Sequence, residues 1–167
     1  PVLTENLDYY INLYDTWSSY GVESEGVFVA YTSVYGNTNK AVEKFAEILK
    51  AKGCPKVAVA DLAREDMAEC VEDAFKYGKI VLATTTYTND IFPFMKDFIH
   101  HLTGRNYQNR TIGLIENGTW NPLAAKVMTK MFENSKNITF CPTVVTIKTA
   151  MNDETVNGLE QLAEEIL

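Results

Sequence analysis

The sequence predicts a doubly wound α/β domain on a five-stranded parallel sheet. Three observations predict it. Short β-branched runs recur along the chain, nearly continuous in hydrophobicity rather than alternating, as parallel strands covered on both faces require. Stretches of helical periodicity follow each of them, and strand–helix alternation with right-handed crossovers winds a sheet on both faces. The length of 167 residues, 46% of them hydrophobic, is enough for one core without disulfide or metal staples.

The chain opens outside this alternation. Thr4 is placed to cap a helix running to Ser19, with Leu7, Tyr10, Ile11, Tyr14 and Trp17 on one side; Gly21 and the polar Glu23–Gly26 stretch then break it. Residues 1–26 read as a lead-in helix and linker, and residues 27–167 as the domain. Pro1 fits either a trimmed initiator Met or a cut from a longer chain.

Strands are expected at Val27–Thr32, Lys56–Ala60, Lys79–Thr84, Thr111–Glu116 and Thr143–Lys148. The helix after the first carries Ala41, Phe45, Ile48 and Leu49 on one face, and the next carries Met67, Cys70, Val71 and Ala74. Phe92, Met95, Ile99 and Leu102 trace a third stripe, Leu123, Val127 and Met131 a fourth, and Val156, Leu159, Leu162 and Ile166 a fifth. No repeat, low-complexity tract or Gly/Ser linker divides these units.

Fifteen basic residues against 22 acidic ones give a net charge of −7, a poor match to nucleic acid or an anionic membrane surface. No apolar run reaches the length of a membrane span, and with no charged-then-apolar pattern in the opening residues no signal peptide is expected there. Cys54, Cys70 and Cys141 form neither CxxC nor a zinc-ligand pattern, so the expectation is a cytoplasmic chain with reduced thiols.

Ligands of open α/β sheets sit at the carboxyl ends of the strands. The first such loop runs Thr32-Ser33-Val34-Tyr35-Gly36-Asn37-Thr38-Asn39. It offers hydroxyls, amides and a glycine at a helix N-terminus, an anion site of neutral donors and helix dipole. No Lys or Arg lies between Val27 and Asn39, and neither the GK[ST] of a P-loop nor GxGxxG is present, so a monophosphate ester fits better than a polyphosphate with Mg²⁺. Helix capping alone accounts for one such residue, not the run. The second loop, Thr84–Pro93, is long, holds Tyr87, and has a proline suited to the first turn of a helix. Tyr87 is either a loop-edge residue or part of a ligand wall. The third loop, Glu116–Pro122, places Trp120 at a strand end, as core or as ligand platform. One phosphate loop and two aromatic loops on one rim suit a flat ring with a phosphate tail.

The segment YTSVYGNTNKAVEKFAEIL resembles the phosphate-binding signature of the flavodoxins, and residues 27–167 are similar to the flavodoxin-like fold. TTTYTNDIFPFMKDFIHHL and ENGTWNPLAAKVMTKMF resemble the loops and helices of the C-terminal flavodoxin domain of flavodiiron proteins, the A-type flavoproteins. In that family a metallo-β-lactamase-like diiron domain precedes the flavodoxin domain, and the lead-in helix resembles the joining segment. The resemblance implies a strand order of 2-1-3-4-5 and FMN as cofactor. It implies phosphate binding by Ser33, Tyr35, Gly36, Asn37 and Thr38, and ring contacts from Thr86, Tyr87, Thr88, Asn89, Asn117, Gly118, Thr119 and Trp120. Thr32, Val34, Thr85, Asp90 and Glu116 complete the candidate cofactor site. The second loop lacks the glycine whose peptide flips in many short flavodoxins; Asn89 or Asp90 stands there as a residue tolerant of positive φ. Asp90 and Glu116 are expected to disfavour negative charge on the reduced cofactor.

The implied function is FMN-dependent electron transfer from a rubredoxin-like or other redox donor to a diiron centre that reduces O₂ or NO, within a full-length homodimer. A stand-alone flavodoxin carrier, an NAD(P)H-dependent FMN quinone reductase and a non-redox phosphate-binding module are the alternatives. The HxExD type of iron motif is absent, and adjacent His100 and His101 point about 100° apart on their helix, so no metal is expected in this chain. Ser33 has no triad partners in the sequence, and Thr32-Ser33 and Thr84-Thr85 replace the acidic residues a phosphoacceptor receiver domain would need at those strand ends.

Overall fold

The computed structural model describes residues 4–167; residues 1–3, Pro1 among them, lie outside the described part. The first helix, α1, spans Leu7–Ser18. It starts later than Thr4 would allow: Asn6 sits at its N-cap in the left-handed region (φ 54°), without a side-chain cap bond. None of its residues is buried, and Leu7, Tyr10, Ile11, Tyr14 and Trp17 all stay exposed.

The sheet follows. Strand β1 (Ser24–Tyr31) leads to α2 (Asn37–Ala51), β2 (Val57–Asp61), α3 (Met67–Lys76) and β3 (Tyr77–Tyr87). The two-residue β4 (Asp90–Ile91) then precedes α4 (Pro93–Thr103), β5 (Arg110–Asn117), α5 (Ala124–Met131), β6 (Ile138–Ile147) and α6 (Asp153–Ile166). The parallel strands lie in the order β2-β1-β3-β5-β6, which is 2-1-3-4-5 when β4 is left out of the count. That short strand was not expected. It folds back antiparallel on the end of β3, pairing Thr86 with Ile91 and Tyr87 with Asp90, so the second loop is a hairpin. Its two turn residues, Thr88 and Asn89, have φ of 51° and 57°, the double positive φ of a type I′ turn. Asn89 is thus at positive φ as expected, and Thr88, rather than Asp90, shares it.

Several strands run longer than their apolar runs. Strand β1 begins at Ser24, inside the stretch expected as linker, because Ser24 already pairs with Tyr77; Gly26 (φ 144°) at the register shift that follows passes so close to Lys56 that a Cβ would lie 2.4 Å from its carbonyl oxygen. Strand β6 starts at Ile138 and breaks register with β5 between Ile112 and Leu114, next to Pro142. Pro142 cannot donate to the ladder and is tolerated on this edge strand.

Two apolar layers cover the sheet. On one face Phe28, Ile80, Leu82, Ile112 and Leu114 pack against α3, α4 and α5; on the other Val27, Val29, Val81 and Ile115 pack against α2 and α6. The predicted stripes of α2, α3, α4 and α6 reach this core through most of their residues; Met67 packs only partly, and Val156 and Phe92, the latter just before α4, stay half-buried outside it. Helix α5 differs: Ala124, Ala125 and Met128 are its buried residues, whereas Val127 and Met131 pack only partly and Leu123 precedes the helix. The two alanines let its first turn lie close to the sheet. Helix α3 is capped by Asp66, and α6 by a box between Asn152 and Thr155.

Candidate functional site

The carboxyl ends of β1, β3, β5 and β6 meet at one edge, and a cavity of about 410 Å³ opens there. Ser33, Val34, Tyr35, Asn37 and Thr38 line it from the first loop, Thr85 and Thr86 from the end of β3, and Asn117–Asn121 from the third loop.

The first loop is shaped as an anion cradle. Gly36 adopts φ 85° at the N-cap of α2, a conformation that favours glycine. Ser33 Oγ accepts the N–H groups of Gly36 (3.1 Å) and Asn39 (3.3 Å), so its own proton is free to donate outward. The backbone N–H groups of Val34, Tyr35, Asn37 and Thr38 have no protein partner among the described residues. Thr38 is buried at the start of α2, and its hydroxyl accepts a bond from Asn117 Nδ2 at 3.4 Å. A hydroxyl proton, several free N–H groups and a helix N-terminus are what a phosphate ester needs in the absence of a cation.

The other end of the cavity is built by the end of β3 and the third loop. Thr85 Oγ1 donates to the Asn117 carbonyl (3.2 Å), and Thr86 Oγ1 accepts from Leu123 N (3.0 Å), tying the ends of β3 and β5 together. Gly118 allows that approach: a Cβ there would meet Pro122 at 3.0 Å and Thr86 Oγ1 at 3.2 Å. Trp120 is 96% exposed and Tyr35 89% exposed, two aromatic side chains left open on opposite loops of one cavity. Neither ring belongs to the core, and both stay open at the cavity mouth.

Not every expected residue faces the cavity. Thr32 lies fully buried beneath it, its hydroxyl 2.6 Å from that of Thr84. Gly36 does not line the cavity either, and its N–H is taken up by Ser33 Oγ. Glu116 is also buried: one carboxylate oxygen accepts the N–H of Ala125 (2.9 Å) in the first turn of α5, and the other accepts the Thr146 hydroxyl (3.0 Å). An anion at a helix N-terminus is stabilised by the dipole, which explains why Glu116 turns inward. Tyr87, Thr88 and Asp90 line a neighbouring depression of about 500 Å³ together with Lys96 and His100. Asp90 pairs with Lys96 and accepts from Ile91 N, and the Lys96 bond holds its carboxyl below the usual carboxylate range. Asn89 occupies the hairpin turn and lines neither cavity.

Two lining residues escaped the sequence argument. Asn121 follows Trp120 in the third loop, and Thr149 follows β6. The rule that ligands meet strand ends applies to β6 as well, and would have found Thr149. Among the described residues no group of His, Cys, Asp and Glu is arranged to hold a metal ion, and no helix is long and apolar enough to cross a membrane.

A doubly wound sheet of order 2-1-3-4-5, with a cation-free loop of open N–H groups after its first strand and aromatics on two rim loops, defines a flavodoxin-like protein. Residues 28–148 match the Flavodoxin domain family model, and the chain belongs to the flavodoxin family. It is 31% identical over 102 residues to the coenzyme F420H(2) oxidase of Methanothermobacter marburgensis, an alignment covering 61% of this chain and 24% of the relative. It superposes on rubredoxin oxygen:oxidoreductase from Desulfovibrio gigas with a TM-score of 0.87 at 18% identity, covering 95% of this chain and 39% of that one. On flavodoxin 1 from Bacillus cereus the TM-score is 0.72 at 15% identity, covering 84% and 95% respectively. The chain therefore resembles the flavodoxin part of flavodiiron proteins and spans about a quarter of the curated relative's length. The cofactor of this family is FMN, and the cradle and the aromatic rim fit its phosphate and its ring.

Proposed function

We propose that this chain is the electron-transfer domain of a flavodiiron-type reductase. Within the parent protein it takes electrons from a rubredoxin-like or other redox donor and passes them to a diiron centre in a separate domain, where O₂ or NO is reduced. The observation that carries this reading is the reach of the structural likeness. The superposition on the Desulfovibrio gigas oxidoreductase covers 95% of the chain, more than residues 27–167 alone can supply, whereas that on the free-standing Bacillus cereus flavodoxin stops at 84%. A helix with no buried residue and an apolar side left open suits a domain joined to a larger partner.

When bound, FMN supplies the one- and two-electron redox chemistry. The residues of this chain bind and orient it. Ser33 Oγ and Thr38 Oγ1 would donate to its phosphate beside the free N–H groups that open α2. Tyr35 and Trp120 would cover its ring and shield it from water. Thr86 and Gly118 fix how closely the second and third loops approach each other, and so the width of the ring slot. The Asp90–Lys96 pair keeps the neighbouring carboxylate partly neutralised.

The test has two stages. Apoprotein titrated with FMN is expected to form a yellow one-to-one complex, and a reduced rubredoxin is expected to reduce that complex in stopped-flow mixing. A chain that takes up no FMN overturns the reading at its base. A complex that exchanges electrons with flavodoxin partners alone, from a parent gene without a diiron domain, reassigns it as a free carrier.

A further inference from the structure

We propose that Thr149 is a positioning residue of the cofactor site, holding the third rim loop in register with the phosphate cradle. The proposal rests on the FMN reading above. Thr149 has φ 74°, and Ala150 N donates to Lys148 O across it at 3.0 Å. A three-residue turn with positive φ at its centre is the rare, strained kind of γ-turn, and a β-branched centre strains it further.

The fold does not require that strain. Lys148, Thr149 and Ala150 are all exposed and bury nothing in the core. The start of α6 is already capped by Asn152 and Thr155. Glycine at this position would make the same turn without penalty.

What over-determines the turn is the site itself. Asn117 Nδ2 reaches both the Thr149 carbonyl (3.3 Å) and Thr38 Oγ1 (3.4 Å), joining the loop after β6 to the first turn of α2. Thr149 Oγ1 lies 2.8 Å from Thr119 Oγ1, and Gly118 N donates to Ile147 O at 3.0 Å. Thr38, Asn117, Thr119 and Thr149 line the same cavity. Strain persists where surroundings impose it, and it gathers at ligand clamps. The hydroxyl pair also keeps a proton: one is used between the two oxygens and the other stays free at the cavity wall.

The experiment compares FMN affinity, bound-flavin absorption and apoprotein melting for the full 167-residue chain and three variants. Thr149→Gly removes strain and hydroxyl together, Thr149→Val removes the hydroxyl alone, and Thr149→Ser keeps it. Thr149→Gly is expected to leave the apoprotein at least as heat-stable as wild type while weakening FMN binding about tenfold. Thr149→Val is expected to weaken it to a similar extent, with a shifted flavin spectrum in both. Thr149→Ser restores wild-type affinity to within about twofold. Stability and affinity moving in opposite directions is a signature that ordinary loop damage does not produce. Wild-type affinity in Thr149→Gly, or parallel losses of stability and affinity that Ser fails to rescue, overturns the proposal while leaving the FMN reading intact. Failure of the wild-type chain itself to bind FMN overturns both.

Discussion

Thr32 Oγ1 and Thr84 Oγ1 lie 2.6 Å apart at the ends of β1 and β3, and both residues are fully buried. One hydroxyl donates to the other, and the pair forms a polar floor where the first loop leaves one strand and the second loop the other. Thr32→Val or Thr84→Val alone leaves a buried hydroxyl without a partner and should cost about 1–3 kcal/mol. The double Val variant should recover much of that, because it removes both polar atoms at nearly constant volume. Urea unfolding of the four proteins measures the coupling; additive losses would show that the hydroxyls do not depend on each other.

Arg110 is a buried cation held without a carboxylate. Its guanidinium donates to the carbonyls of Tyr20, Gly21, Phe75, Gln108 and Asn109, and burial lowers its pKa. It ties the segment after α1 to the bottom of the sheet. Arg110→Met should destabilise the chain by about 3–5 kcal/mol by stranding those carbonyls. Limited proteolysis should then cut faster near Trp17 and Tyr20. Lys at this position should restore little, since a single ammonium cannot span them. Unchanged cleavage in Arg110→Met would mean that the clasp does not hold the lead-in segment.

How much of this was legible in the sequence depends on the kind of signal. The five parallel strands and four of the helix faces were legible because burial on both sides leaves continuous β-branched runs, and helix burial leaves a 3.6-residue stripe. The face of α5 was misread because two small alanines, not its larger side chains, meet the sheet. The hairpin after β3 was not legible: neither Thr88 nor Asn89 is a glycine, and their positive φ is imposed by the pairing of Tyr87 with Asp90. The cradle was legible because its donors are consecutive. Glu116 was placed on the rim because proximity in sequence cannot reveal that a helix N-terminus would draw the carboxylate inward. Thr149 has no composition signal in its loop; only the position of that loop at the carboxyl end of β6 marks it.

The three thiols should differ in reactivity. Cys70 and Cys141 are buried, and burial raises both to about 11, so near pH 8 only about one in a thousand is thiolate. Cys54 is half-buried, its thiol donating to Lys56 O at 3.2 Å. A thiol reagent at pH 8 should modify Cys54 first and reach the others at a measurable rate only on unfolding. Raising the pH toward 11 should increase the share of thiolate at the buried pair. Rapid labelling of Cys141 in the folded protein, read by peptide mass, would place the edge strand β6 in frequent local opening.

Trp120 and Trp17 provide independent fluorescence reporters. Trp120 projects from the cavity rim, whereas Trp17 lies on α1 with its indole N–H donated to Glu23 at 2.8 Å. FMN binding should quench the emission of Trp120 strongly and that of Trp17 much less. In Trp120→Phe most of the quenching should disappear while binding, followed through flavin absorption, is only modestly weakened. Full quenching in Trp120→Phe would remove Trp120 from the ring platform.

The phosphate cradle yields the sharpest test, because its donors are neutral and few. Thr38→Val deletes one hydroxyl at nearly constant volume in the first turn of α2. A charge-assisted hydrogen bond is worth about 1.5–3 kcal/mol, so FMN affinity should fall roughly ten- to hundred-fold. Riboflavin lacks the phosphate. It should bind wild type far more weakly than FMN and respond little to the substitution. The lost bond from Asn117 Nδ2 to Thr38 Oγ1 is common to both ligands and sets a small baseline that riboflavin measures directly. The difference between the two losses then isolates the phosphate contact from any disturbance of the loop. Equal losses for FMN and riboflavin, measured by fluorescence titration of the apoprotein, would reduce Thr38 to a structural residue of α2 and leave Ser33 and the free N–H groups as the whole of the phosphate site.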